Sequence, residues 1–173
     1  MTKRSWVVFC LAAGLAGWMG QVAAFGASTN AAYDVTATSV LSVAGHKLSQ
    51  TESATIAFLS DNTFTGVLGT NVFTGTYTAS KSGVALILDT NGVGGIENDA
   101  NDWLSSEFPG VTLTYSSAKF TKMTLAKTSG LPAKLSDTIK GKGSETVGGK
   151  TRSKGFSIKT SWAGWTLTAG TNF

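Results

Sequence analysis

The sequence predicts a mainly β protein, a single antiparallel β-barrel of about eight to ten strands accompanied by one short amphipathic helix. Three observations carry this. Between Ala54 and Ala79 apolar residues alternate with hydroxyl residues: Ala54, Ile56 and Phe58, then Phe64, Gly66 and Leu68, then Phe73, Gly75 and Tyr77, opposed by Thr74, Thr76 and Thr78. Side chains two apart share one face of a strand, so each run has one buried and one wet face. Turn-forming residues punctuate the runs, and 21 glycines among 173 residues supply bends. One stretch alone carries helical spacing: Ile96, Ala100, Trp103, Leu104 and Phe108, ended by Pro109-Gly110.

The first 24 residues read as a signal peptide rather than part of the barrel. Lys3 and Arg4 precede an apolar run from Trp6 to Gly20, and Val22-Ala23-Ala24 offers small residues for cleavage before Phe25. The expected location is periplasmic or secreted. Cys10 falls inside this segment, so the processed chain holds no cysteine and relies on its core without disulfides. Residues 25–32 read as a flexible lead-in, and 33–173 as one barrel domain.

The strands follow in order. Tyr33 to Val43 is the first, and Ala44-Gly45-His46-Lys47 turns the chain. Asp61-Asn62 makes a second turn, because short polar side chains bond nearby backbone and tolerate left-handed dihedrals. Val84 to Leu88 lacks alternation and reads as a strand buried on both faces, one of them under a helix from about Gly95 to Phe108. Val111, Leu113 and Tyr115 alternate, Ser116-Ser117 reads as a turn, and a parity change between Phe120 and Met123 suggests a bulge. Leu135 to Gly143 is polar and lysine-bearing, as edge strands are. Gly148-Gly149 marks a hairpin. Lys150, Arg152 and Lys154 share one face of the last strand, Gly155 is placed to kink it, and Trp162, Trp165 and Leu167 follow.

Charge is split along the chain. Residues 25–118 carry 2 basic and 8 acidic groups, residues 119–173 carry 10 basic and 2 acidic ones. Two halves of one barrel attracting each other account for this, and Lys150, Arg152 and Lys154 form a face suited to an acidic envelope partner. No basic run is interleaved with aromatics, as nucleic-acid readers require.

Chemistry-bearing motifs are sparse. His46 is the one histidine, which removes a Ser-His-Asp triad without it and any two-histidine metal site. There is no nucleophile motif and no phosphate loop, so an enzyme is not expected. The segment Asp89-Thr90-Asn91-Gly92-Val93-Gly94-Gly95-Ile96-Glu97-Asn98-Asp99 offers a calcium alternative through Asp89, Asn91, Glu97 and Asp99. Val93 and Ala100 stand where an EF-hand loop needs ligands, so a turn with acids at a helix start fits better, and no cofactor is expected.

Gly66-Val67-Leu68-Gly69-Thr70-Asn71 followed by Phe73-Thr74-Gly75-Thr76-Tyr77 resembles the Gly-x-x-Gly-Cys-Asn…Gly-x-Tyr segment of META-type, lipocalin-like envelope domains. Thr70 replaces the family's cysteine, and the match spans roughly residues 54–79. The resemblance implies a small exported lipocalin-like barrel. The function expected from the whole is binding of a small apolar or amphiphilic ligand, with Phe73, Tyr77, Trp103, Trp162 and Trp165 as the aromatic lining. Two alternatives stand beside it. One is an envelope structural or protein-interaction domain without ligand. The other is a small outer-membrane barrel, against which the short strands and the Thr74/Thr76/Thr78 face weigh.

Overall fold

The computed structural model describes residues 29–81 and 83–173; the expected signal peptide, residues 1–24, and residues 25–28 lie outside them. Strand β1 (Thr29–Val43) turns Tyr33, Val35, Ala37 and Leu41 inward and Asp34 and Thr36 outward. It returns as β2 (His46–Leu59) through Ala44 and Gly45, both at positive φ, the two-residue turn that suits twisted hairpins. The meander continues through β3 (Thr63–Leu68), β4 (Asn71–Ser80) and β5 (Gly83–Leu88). At the β2–β3 turn Asn62 sits at φ 65°, and the Asp61 carboxylate accepts from Thr63 N and Oγ1 at 3.0 and 2.6 Å. Helix α1 (Thr90–Glu107) is followed by β6 (Thr112–Phe120), the two-residue β7 (Thr124–Leu125), β8 (Pro132–Val147) and β9 (Lys150–Gly170).

Eight strands form one antiparallel sheet in the order β5-β4-β3-β2-β1-β9-β8-β6, with β7 attached to β8. The sheet curls until its two edges nearly meet. Val84 and Met123 exchange two backbone hydrogen bonds of 2.8 Å across the gap, making a lipocalin-like barrel with a thin seam.

The interior is a column of rings. Phe73 contacts Phe64, Phe120 and Trp162 at centroid separations of 6.3, 5.8 and 5.7 Å. A Cβ on Gly66 would strike the Phe73 ring, and one on Gly75 would strike the Ile87 carbonyl oxygen of β5 and then the Phe64 ring at 2.8 Å. These in-strand glycines make room for aromatic rings. Below this layer Phe58 meets Tyr77 at 5.0 Å and Phe173 at 4.9 Å, and Tyr33 meets Trp165 at 5.8 Å. Asn30 Nδ2 donates to Leu59 O and Tyr77 Oη, and Tyr33 Oη donates to Asn172 Oδ1, so polar tips seal that end. Trp162 and Trp165 both reach the inside, although their spacing is odd. Gly164 at φ 70° and a register shift opposite Asp34–Thr36 form a bulge that flips the strand's inward parity.

The structure corrects several expectations. β1 begins at Thr29, with Ala31 and Ala32 buried, so part of the expected lead-in is strand. Ser116 and Ser117 do not turn the chain; β6 passes through them with a register shift after Tyr115. β8 lies between β9 and β6 rather than at an edge, with Lys140 and Lys142 pointing outward while Ile139 and Gly141 point in. β5 buries one face only, and Ile87 is 67% exposed on the other.

The helix begins at Thr90, five residues earlier than the apolar spacing indicates. A Cβ on Gly92 or Gly95 would come within 1.8 Å of the carbonyl oxygens of Thr74 and Val72 respectively. The glycines that suggest a loop are instead the flat side of a helix laid directly on β4.

Candidate functional site

The five aromatic residues expected to line a ligand do not share one space. Phe73 and Trp162 stack in the middle layer, Tyr77 and Trp165 stand at the sealed end, and Trp103 is buried on α1. The central volume is occupied by their own rings. Asp89 is the N-cap of α1, accepting from Gly92 N at 2.7 Å and from Thr74 Oγ1 at 2.9 Å. Helical spacing turns Asn91, Glu97 and Asp99 toward different sides of the axis. Among the described residues no three His, Cys, Asp or Glu side chains form a group that could hold a metal ion.

Open space lies instead at the other end of the barrel. A cavity of about 260 Å³ is built where five elements converge. β1 contributes Leu41 and Val43, its last inward residues. The end of α1 contributes Leu104 and Phe108. Val111 enters from just before β6, Leu113 from its start and Phe156 from β9, with Gly143 of β8 forming part of the wall. Each follows from a periodic pattern reaching its end: inward parity in β1, β6 and β9, and i, i+4 spacing in the helix. Phe108 N donates to Leu104 O at 2.8 Å, which holds the helix terminus and so the two side chains over the space. Tyr115 packs edge-on against Phe156 at 5.8 Å beneath it, its hydroxyl pushed up to about 12 by burial and by the nearby Glu97, Asp102 and Asp99 carboxylates.

The mouth of this cavity is charged. Arg152 and Lys154 share the inward parity of Phe156, but they lie beyond the last β1 partner, Val43 opposite Phe156. There the strand has left the barrel wall, so their stems extend the apolar lining while their charged ends stay exposed to water. Glu145, also on the rim, is the register partner of Arg152. From Glu145 to Arg152 the β8–β9 hairpin pairs only with itself, forming an arm with Lys150 and an exposed Val147 near its tip.

A second depression of about 340 Å³ crosses the outside of β1, β2 and β3 beside the Gly164 bulge. Asp34, Thr36, Ser53 and Thr55 line it, and no apolar side chain there is larger than valine, so it offers little surface to an apolar ligand.

Below the cavity two carboxyl groups are held away from water. Trp162 Nε1 donates to Asp137 Oδ2 at 2.7 Å, and Thr160, itself 2.9 Å from Ser39 Oγ, also bonds this carboxyl. Asp137 Oδ1 has no hydrogen-bond partner, and burial pushes the group up to about 7 against the pull of its donors. Asp99 on α1 is likewise raised to about 7, first by burial and then by the Glu52 carboxylate beside it. Both Glu52 and Asp99 crowd the point where a Cβ on Gly69 would lie, at 2.7 and 3.1 Å.

None of the cavity residues belongs to the aromatic lining expected from the sequence, and only Arg152 and Lys154 belong to the basic face expected to meet a partner. The available signal was the unbroken parity from Phe156 through Lys154 to Arg152, which ties the basic face to the barrel interior. No family model, curated protein or solved structure matches this chain. Among the described residues, no helix is long and apolar enough to cross a membrane.

Proposed function

We propose that this chain is an exported barrel, periplasmic or secreted, that binds one small apolar or amphiphilic molecule. The observation that carries the reading is the apolar cavity at the barrel mouth, roofed by Leu104 and Phe108 of α1 and open beside Arg152 and Lys154. Ligand pockets are typically concave, mostly apolar and marked by a few placed polar groups, with volumes of roughly 300–1,000 Å³. At about 260 Å³ this one falls just below that range, which favours a slender ligand. The aromatic residues beneath act as a floor rather than as the lining. Export rests on the basic, apolar and small-residue pattern of the first 24 residues, and the META-type resemblance points to the same compartment. The outward faces of β1 and β4, with Asp34, Thr36, Thr76 and Thr78, suit water better than lipid.

Native mass spectrometry of the exported chain, purified without detergent, tests this. A mass that co-purifies and leaves on denaturation is the expected result. A bare protein that also takes up no single-chain amphiphile overturns it. The self-paired β8–β9 arm supports a second reading, an interaction domain that presents Lys150, Arg152 and Lys154 to an acidic envelope partner. Crosslinks confined to that arm, with an empty cavity, are its signature.

A further inference from the structure

We propose that the ligand of the mouth is a single-chain amphiphile with an anionic head, a carboxylate of the fatty-acid type; this rests on the binding reading above. Shape sets the chain. About 260 Å³ walled by Leu41, Val43, Leu104, Phe108 and Leu113 accepts one slender acyl chain, not a two-chain lipid or a fused-ring molecule. Depth is limited by the Phe156–Tyr115 pair and by the ring column below, so the head of a chain seated there remains at the rim.

Charge sets the head. Three ionised side chains reach the cavity, the cations Arg152 and Lys154 and the anion Glu145. Both cations project on the cavity side of β9, since they continue the parity of Phe156. A guanidinium offers a planar fork matched to a carboxylate, and an ammonium two residues along the same face adds a second donor. Glu145 stands opposite Arg152 and offsets part of this field, leaving the rim net positive by one charge. These groups are exposed, so their preference for an anion weakens with salt.

The test uses isothermal titration of the exported full-length product with decanoate, decanol and decyltrimethylammonium, which share one chain and differ in head. Decanoate binds about tenfold more tightly than decanol, as a charge-assisted hydrogen bond at a partly wet site provides, and the cation binds weakest. The doubly substituted R152Q/K154Q protein, altered only at exposed positions, binds decanoate and decanol alike. E145Q strengthens decanoate binding about two- to threefold. V111W fills the cavity and weakens decanoate and decanol together. Equal affinity for decanoate and decanol in the unaltered protein overturns the anionic head while leaving the binding reading intact. So does a preference for decanoate that survives R152Q/K154Q. Failure of all three amphiphiles to bind overturns both.

Discussion

The two ends of this barrel are made from the same strands and behave as opposites. At the end defined by Ala31, Leu59 and Tyr77 the interior is solid, packed with Phe58, Tyr77, Phe173, Tyr33 and Trp165 and closed by side-chain hydrogen bonds. At the end defined by Val43, Leu113 and Phe156 the rings give way to aliphatic side chains and a cavity. Along β1 Ala31 and Val43 are twelve residues apart, about 40 Å at strand rise. Side-chain volume separates them: large rings fill a small barrel to its axis, while leucine and valine stop short of it. A barrel of this size can therefore be a filled core and a container at once.

That contrast can be broken most severely in the solid part. Trp162→Ala removes a ring from the middle layer and the donor to the buried Asp137, and costs about 3–5 kcal/mol in urea unfolding. At the open end Leu113→Ala, at a half-buried side chain, costs about 1 kcal/mol. Equal losses at the two sites would contradict the division between core and container.

The helix that roofs the cavity gives a matched pair of smaller magnitude. Gly95→Ala forces a methyl against the Val72 carbonyl oxygen and costs about 2–3 kcal/mol. Gly94→Ala, one residue away with nothing within 4 Å, is neutral or stabilising by up to about 1 kcal/mol. The comparison is read from thermal midpoints of the two proteins.

Acidity sharpens the picture further. Asp137 and Asp99 hold their protons in the folded chain up to about pH 7, whereas an unfolded aspartate releases its proton near pH ~3.9. Their stabilising protonation is complete below the unfolded value and is lost as pH rises through the folded one. The urea midpoint therefore falls from pH 4 toward pH 8. Asp137→Asn, neutral and nearly isosteric, flattens part of this slope and raises stability at pH 8 by at least about 1 kcal/mol. The smallest effect belongs to the mouth: R152Q/K154Q shifts stability within about 0.5 kcal/mol while changing the ligand preference.

The sequence shows most of the barrel and little of its cavity. Alternation in Ala54–Tyr77 and the turn at Asp61-Asn62 were legible because a strand's face and its turn chemistry are local properties. Gly92 and Gly95 misled, since glycine suggests a loop unless the carbonyl it lets near, on β4, is already known. The polar look of Leu135–Gly143 suggested an edge because a barrel strand wet on its outer face reads the same way. The cavity was invisible for a different reason. It is the absence of side-chain volume where five elements end, and no single segment records that. Only the parity shared by Phe156, Lys154 and Arg152 pointed toward it.

The join between Val84 and Met123 makes the closed cylinder mechanically a rolled ribbon. Two backbone hydrogen bonds, with Lys122 Nζ donating to Ser80 Oγ beside them, hold that line, against twelve register pairs between β1 and β9. Thermal opening is expected to start there, so the amides of Val84 and Met123 exchange with deuterium before those of β1 do. The arm-bearing β8–β9 wall stays zipped to β1 while the ribbon parts elsewhere. Arg152 and Glu145 lie beyond the last β1 and β6 pairs, so this steady wall carries them on an arm held by β8–β9 pairing alone.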